Sequence, residues 1–496
     1  MKIIELTAPA PVPLEYSALE ILGLSVDSRT VQPGFLFAAL PGSQQDGRRF
    51  AWQAIERGAV AILTDDAEAL ALSPEQRSRV AIVTDANPHR RFALMAARFY
   101  GRQPQTIVAV TGTNGKSSVV HFTREIWTAI GCPAASLGTL GLMTDVERRP
   151  GALTSPDPVA LHRDLAELAR RGIDHVAIEA SSHGLHQFRL DGLSIAAAAF
   201  TNLTRDHLDY HGDLAHYRAA KDRLFTELLA PGGAAILNQD SPESARLAAL
   251  CRAGGHPVIA YGSGPRADLR LIAREPQGGS QFLILELLGQ RRELLLPLAG
   301  EFQASNALAA LGLVVATGGP LGPAAEAVAN LPGVPGRMQF VVEDRRRGAV
   351  VVDYAHTPDA LATVLTALRP HARGRLIVLF GCGGDRDPGK RPLMGEVATR
   401  LADRVYVTDD NPRTEPSAEI RRAILEAAPA AIEIGDRRAA IAAAIAELAS
   451  GDLLVIAGKG HETGQIIGTD THPFDDAAIA REFAAADQPS TARRSG

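Results

Sequence analysis

Thr106-Ile-Val-Ala-Val-Thr-Gly-Thr-Asn-Gly-Lys-Ser-Ser118 joins a short β-branched run, a glycine turn and the start of an amphipathic helix that reaches Ile130. A strand feeding a helix through glycines reads as one step of a parallel α/β sheet, with the turn at the carboxyl edge where ligands bind. Gly112 and Gly115 let backbone N–H groups turn toward an anion, and the helix N-terminus adds its dipole. Lys116 is placed to reach terminal phosphates, and the Ser117 hydroxyl to hold Mg²⁺. The strict pattern G-x-x-x-x-G-K-[ST] has Val110 at its first glycine, so the match rests on its strand–turn–helix context. The expected nucleotide contacts are Gly112, Thr113, Asn114, Gly115, Lys116, Ser117 and Ser118, with ATP as co-substrate and Mg²⁺ as cofactor.

Working outward, the apolar runs His175–Ile178, Ile195–Phe200 and Ala234–Leu237 each lead into polar residues, as an open parallel sheet requires. Before this segment, short runs at Phe35–Leu40, Val60–Thr64 and Val80–Val83 alternate with helical patterns such as Arg91–Tyr100. After it, Val350–Val352, Leu376–Phe380, Arg404–Thr408 and Leu453–Ala457 alternate with four helical stretches, a second doubly wound arrangement. The reading is therefore α/β in three domains. A small N-terminal α/β domain covers 1–105, a central ATPase-like parallel sheet covers 106–335, and a C-terminal Rossmann-like domain covers 336–496. The polar stretch 487–496 is expected to lack structure.

At 496 residues, with 46% apolar and 22% charged residues, the chain has the balance of a globular protein with several cores. A net charge of −5 argues against nucleic acid or an anionic membrane as partner. Met1–Ala10 carries one lysine and then prolines, so no secretory signal is expected, and no apolar run is long enough for membrane insertion. Cys132, Cys251 and Cys382 lack disulfide or metal-knuckle spacing, which fits reduced thiols in the cytoplasm. A monomer is expected. Gly262-Ser-Gly-Pro-Arg-Ala267 fits a dinucleotide fingerprint by letter, but Pro265 and the run after it do not open a helix.

Other motifs are ambiguous alone. His207, Asp209 and His211 in Thr201-Asn-Leu-Thr-Arg-Asp-His-Leu-Asp-Tyr-His-Gly212 could be a polar loop, Lys221 a solvated helix residue, and Arg413 a surface arginine. Taken with Glu179-Ala-Ser-Ser-His-Gly184, Tyr217-Arg-Ala-Ala-Lys221, Gly336-Arg-Met338, Val352-Asp-Tyr-Ala-His-Thr-Pro358, Asp410-Asn-Pro-Arg413 and Gly458-Lys-Gly-His-Glu462, the phosphate loop resembles the Mur ligase family in content and order. Asp27-Ser-Arg29 and Phe380-Gly-Cys-Gly-Gly-Asp-Arg-Asp387 extend that resemblance over nearly the whole chain. Ser117-Ser118 stands where Thr-Thr is commoner, with the hydroxyls kept.

The resemblance implies ATP-dependent amide-bond ligation in peptidoglycan synthesis. The γ-carboxylate of UDP-N-acetylmuramoyl-L-alanyl-D-glutamate would become an acyl phosphate and then accept meso-diaminopimelate. It implies catalytic roles for Lys116, Lys221 and His207, and metal ligation by Ser117, Glu179, His207 and Lys221, the last as its carbamate (N6-carboxylysine). Adenine and ribose contacts fall on Asn306, Arg337, Asp353 and His356, so ATP would draw on two domains. UDP-substrate contacts fall on Val26, Ser28, Ser43, Gln44, Gln45, Thr154, Ser155, Ser181, Gln187 and Arg189. Diaminopimelate contacts fall on Arg386, Asp410, Asn411, Pro412, Arg413, Gly458 and Glu462. The Asp-Asn-Pro-Arg run resembles the branch that selects diaminopimelate over lysine. The rival readings are another ligase of the superfamily, such as a folylpolyglutamate synthetase or a lysine-adding enzyme, and a non-catalytic nucleotide switch.

Overall fold

Four parallel strands, Gly23–Ser25, Phe35–Ala38, Ala61–Thr64 and Ala81–Thr84, pair in chain order and open the computed structural model. The structure describes residues 1–8, 14–42, 46–151, 153–204, 206–344 and 348–486, so Ser43, Gln44, Gln45 and the stretch 487–496 lie outside the described residues. Helix Pro88–Tyr100 covers this sheet with Phe92, Met95 and Ala96. Its ends follow local chemistry. Asn87 accepts from the Arg90 N–H, Pro88 needs no N–H partner in the first turn, and left-handed Gly101 ends the helix.

The chain packs as two compact units. One comprises Met1–Ala260 with Ala309–Ala324, and the other Tyr261–Leu308 with Ala325–Gly496. In the first unit, Thr106–Thr111 lies between His175–Glu179 and Ile195–Phe200, all parallel. Leu229–Asn238 and Ala134–Gly138 extend this core outward in parallel. These strands are buried on both faces, which is why they read as continuous apolar runs. Register sets Val110 opposite Glu179 and Thr111 opposite Phe200. The phosphate loop, Glu179 and Thr201 therefore leave the sheet at one edge.

In the second unit, Gly348–Asp353, Leu453–Ala457, Leu376–Phe380, Arg404–Val407 and Ile432–Glu433 form a parallel sheet in that spatial order. Pro358–Leu368, Lys390–Leu401 and Ser417–Leu425 cover one face, and Arg437–Ala446 with Asp476–Ala486 cover the other. The doubly wound reading of this region holds.

The central parallel sheet is present, and the segment also carries antiparallel strands that the sequence reading did not include. Gly141–Met143 and Arg148–Arg149 add antiparallel strands, and Leu269–Gln277, Ser280–Leu287 and Gln290–Leu296 form an antiparallel meander. Leu269–Gln277 and Gln290–Leu296 are mostly exposed or half-buried and carry charges, whereas Ser280–Leu287 alternates between buried and half-buried residues. The last hairpin turns through Leu288 and Gly289, both at positive φ. Leu269–Gln277 is a strand, so the run after Gly262 opens no helix. No helix among the described residues is long and apolar enough to cross a membrane.

Candidate active site

The phosphate loop is held from behind by the neighbouring strand end. Asn202 accepts from the Thr113 N–H through its carbonyl and from the Asn114 N–H through Oδ1, both at 2.9 Å. Thr201 Oγ1 donates to the Asn114 carbonyl at 2.6 Å. This grip needs glycine at 112. Its φ is +147°, and a Cβ there would fall 1.8 Å from Thr201 Oγ1. Helix Lys116–Ala129 begins directly after left-handed Gly115, with the Ser117 and Ser118 side chains in its buried first turn.

Two lysines converge on this loop. Lys116 Nζ donates to the carbonyls of Gly112 (3.0 Å) and Thr113 (2.8 Å), and Lys221 Nζ donates to the same Gly112 carbonyl at 2.8 Å. Lys221 is 2% exposed, which corrects the reading of it as a solvated helix residue. Helix Leu214–Arg223 turns it inward beside Tyr217, whose ring lies 4.4 Å from Nζ and whose hydroxyl meets Thr113 Oγ1 at 3.2 Å. Burial, and then the charge of Lys116, push the Lys221 amine well below its ordinary range.

Glu179 ends its strand fully buried. Its Oε1 accepts from the Thr139 N–H at 2.8 Å and its Oε2 from Thr139 Oγ1 at 3.2 Å. A Cβ at Gly138 would lie 2.1 Å from Oε1, so the backbone approaches closely at that glycine. An ionised carboxylate has about four lone-pair sites, so Glu179 keeps acceptor capacity for a cation. His207 sits at φ +53° with Nε2 3.4 Å from Asp206 Oδ2 and its ring 4.8 Å from His183. The serine hydroxyl and the carboxylate are hard oxygen donors that fit Mg²⁺, with one borderline imidazole nitrogen beside them. Among the described residues, no three of His, Cys, Asp and Glu form a metal cluster by themselves. Burial and the surrounding histidines push His211 down to about 4.

The substrate-side residues are linked to one another. Thr154 Oγ1 meets Thr139 Oγ1 at 3.1 Å. Ser155 is buried, donates to the Glu179 carbonyl at 2.8 Å and lies 3.0 Å from Ser181 Oγ. Arg189 donates to the Ser155 carbonyl and to Gln187 Oε1, while Gln187 Nε2 donates to the Tyr210 hydroxyl. On the N-terminal sheet, Val26 is exposed, and Ser28 is buried with its hydroxyl 3.4 Å from Gln53 Oε1.

The second unit gathers two further groups. Asp353 accepts from the Met338 and Ala355 N–H groups, both at 2.7 Å, and burial pushes its carboxyl above the usual range. The Arg337 guanidinium lies 4.5 Å from the centroid of the Tyr354 ring, and His356 Nδ1 donates to the Tyr354 carbonyl. Asn306 Nδ2 donates to Gln303 Oε1 at 3.1 Å.

The other group forms around the turn Asp410–Arg413. Arg413, at φ +52°, is fixed by its N–H to the Ile466 carbonyl and by Nη1 to the Gly384 carbonyl at 2.8 Å. Most of its guanidinium donors remain for a ligand. Arg386 approaches the same Gly383 turn from an exposed position. Asn411 Nδ2 donates to Glu462 Oε2 at 2.9 Å, and Gly458 backs onto the Asp410 carboxylate. Pro412 is buried between them in sequence. A cation and a carboxylate thus flank one turn.

Thr139, Asn202 and Tyr217 carry no role in the sequence reading, yet they hold Glu179 and the phosphate loop. Asn202 follows the apolar run Ile195–Phe200, and only the strand order places it beside the loop.

Family models match in chain order. "Mur ligase family, catalytic domain" matches residues 20–100, "Mur ligase middle domain" 110–314, and "Mur ligase, glutamate ligase domain" 336–460. A UDP-N-acetylmuramoyl-L-alanyl-D-glutamate–2,6-diaminopimelate ligase of Bradyrhizobium diazoefficiens is 53% identical over 93% of this chain and 94% of its own. The relative of the same name from Caulobacter vibrioides is 51% identical over 92% and 94%. A solved structure of a ligase of that name superposes with a TM-score of 0.74 at 33% identity, covering 99% of this chain and 100% of that one. The fold also matches a MurF ligase from Thermotoga maritima in complex with ADP, with a TM-score of 0.61 at 18% identity over 94% and 96% of the two chains. With matches of this identity along more than nine-tenths of its length, the chain belongs to the Mur ligase family.

Proposed function

We propose that this chain is an ATP-dependent amide-bond ligase that joins meso-diaminopimelate to the D-glutamyl γ-carboxylate of UDP-N-acetylmuramoyl-L-alanyl-D-glutamate in peptidoglycan synthesis. The observation that carries this reading is the 53% identity, over 93% of the chain, to a ligase of that name. The turn Asp410–Arg413 supports it, because it offers an arginine to a distal carboxylate and Glu462 to a distal ammonium.

A carboxylate oxygen of the dipeptide attacks the γ-phosphorus of ATP, the bond to the β-phosphate bridge breaks, and ADP leaves. The amine of diaminopimelate then attacks the acyl carbon, the amide forms, phosphate leaves, and the amine gives up a proton. Two anions must meet in the first step, which requires fixed positive charge around them. Lys116 and the N-terminus of helix Lys116–Ala129 supply part of it. Mg²⁺ would neutralise further phosphate charge, held by Ser117, Glu179, His207 and a carbamate on Lys221.

The burial of Lys221 supports that carbamate, because it favours the neutral amine from which one forms. A neutral amine attacks CO₂, an N–C bond forms, and one proton leaves to solvent. The product places an anion, in place of a neutral amine, beside the Lys116 ammonium. The enzyme works as a monomer in the cytoplasm, where ATP is available.

The test is an assay with ATP, the UDP-dipeptide and a panel of amino acids, with product mass measured. A product carrying diaminopimelate, with little or none from lysine, is the expected result. Equal use of lysine would favour the lysine-adding reading, and ATP turnover without any ligated product would favour a nucleotide switch.

A further inference from the structure

Lys459 has no solvent exposure, and its charge is met by three side chains. Nζ lies 3.0 Å from Asn411 Oδ1, 3.2 Å from Glu462 Oε2 and 3.8 Å from Asp410 Oδ1. The Ile466 N–H also donates to Asn411 Oδ1, at 2.9 Å, which fixes the amide orientation. Asn411 Nδ2 therefore points at Glu462 and donates to Oε2 at 2.9 Å. Both bonds from protein to this carboxylate fall on one oxygen. Oε1 receives none among the described residues.

The charge balance follows the same pattern. Asp410 and Glu462 bring two carboxylates, and Lys459 brings one ammonium. A buried ammonium persists only where anions compensate its lost hydration. Burial pushes the Asp410 carboxyl above the usual range, and the charges of Arg437 and Lys459 work against that rise. Without Lys459, two carboxylates would share the site and one would be driven to take up a proton.

We infer that Lys459 is a positioning residue for the amino-acid substrate. With Asn411 it holds Glu462 by Oε2 so that Oε1 accepts the substrate's distal ammonium. This rests on the diaminopimelate reading of the pocket. Lysine offers the pocket the same distal ammonium, so Lys459 acts on ammonium recognition and leaves the choice against lysine to Arg413.

The experiment compares meso-diaminopimelate with 2-aminopimelate, which keeps both carboxylates and lacks the distal amine, in wild type and in Lys459→Met. Wild type should prefer diaminopimelate, and Lys459→Met should raise its KM about 10- to 100-fold with a much smaller change in kcat. The KM for 2-aminopimelate should barely move, since it makes no bond to Glu462. Wild type that uses both amino acids equally would overturn the underlying reading of the pocket. Wild type that discriminates, with a variant that loses equally on both, would overturn the inference alone. If Lys459→Met does not fold, Lys459→Arg keeps the charge and should preserve the preference for diaminopimelate. Loss of that preference, or failure of both variants to give a cooperative unfolding transition, would assign Lys459 to the core and overturn the inference.

Discussion

Lys116 and Lys221 donate to one and the same acceptor, the carbonyl oxygen of Gly112, at 3.0 and 2.8 Å. Two ammonium groups on one carbonyl repel each other, and Lys221, buried against Tyr217, has little water to screen it. The arrangement favours a neutral amine at Lys221, the form that reacts with CO₂.

Lys221→Ala should therefore cost about 10²- to 10³-fold in kcat, the usual loss when one charge-stabilising group leaves an active site. A short carboxylate such as acetate should restore part of the activity, because it supplies the missing oxygen. Wild-type enzyme depleted of CO₂ should slow and recover on adding bicarbonate. Turnover assays with and without these additions test it. An alanine variant with full unaided activity would remove the carbamate from the mechanism.

Arg413→Ala should lower kcat/KM for diaminopimelate about tenfold to several hundredfold, the worth of a charge-assisted hydrogen bond of roughly 1.5–3 kcal/mol. The KM for ATP should stay close to wild type. Lysine should remain a poor substrate of the variant, since deleting the arginine builds no surface for a bare chain end. Steady-state kinetics on both amino acids decides this. An unchanged kcat/KM for diaminopimelate would mean that Arg413 does not meet its distal carboxylate.

Arg437 and Asp476 form an ion pair with no exposure on either side chain, joined at 2.8 and 2.7 Å, and Arg437 Nη2 also donates to the Ala457 carbonyl. Arg437→Met leaves a buried carboxylate alone and should cost about 3–5 kcal/mol of stability. The double change Arg437→Met with Asp476→Leu should recover most of that loss. Urea unfolding of the full chain measures both, and additive losses would rule out the pair as the cause.

His121 is buried beside Arg124, and burial, then that charge, push its imidazole down to about 3. The unfolded chain, with an ordinary value near 6.5, binds a proton that the folded chain refuses throughout the window from about 6.5 to 3. Stability therefore falls as pH drops through this window, by up to about 1.4 kcal/mol per pH unit for this group. His121→Asn should flatten that slope between pH 6 and 5 relative to wild type. Unfolding curves at several pH values give the comparison, and identical slopes would show that His121 contributes none of it.

Much of the fold was legible because its signals are local. Strands buried on both faces must be continuous apolar runs, so Thr106–Thr111, Leu376–Phe380 and Leu453–Ala457 announce themselves. Helix starts at Asn87 and Thr357 are written in a capping side chain followed by proline. The antiparallel meander Leu269–Leu296 was not legible, because its outer strands are half-buried or exposed and charged, and its middle strand sets apolar residues on both faces.

The same division runs through the candidate site. The sequence alone determined the chemistry available: a glycine turn with Lys116 and Ser117, a carboxylate at Glu179, and an arginine turn at Asp410–Arg413. Tertiary structure decided which groups lose their water. Nothing near Lys221 in sequence says it is buried, because the Gly112 carbonyl that receives it lies on another element. Nor does any local pattern show that Asn202 grips the loop, that Gly138 closes on Glu179, or that Lys459 sits between two carboxylates. Burial and charge pairing depend on residues far apart in the chain. Only the packed sheet edges bring them within hydrogen-bond reach, and that proximity sets their protonation and their use.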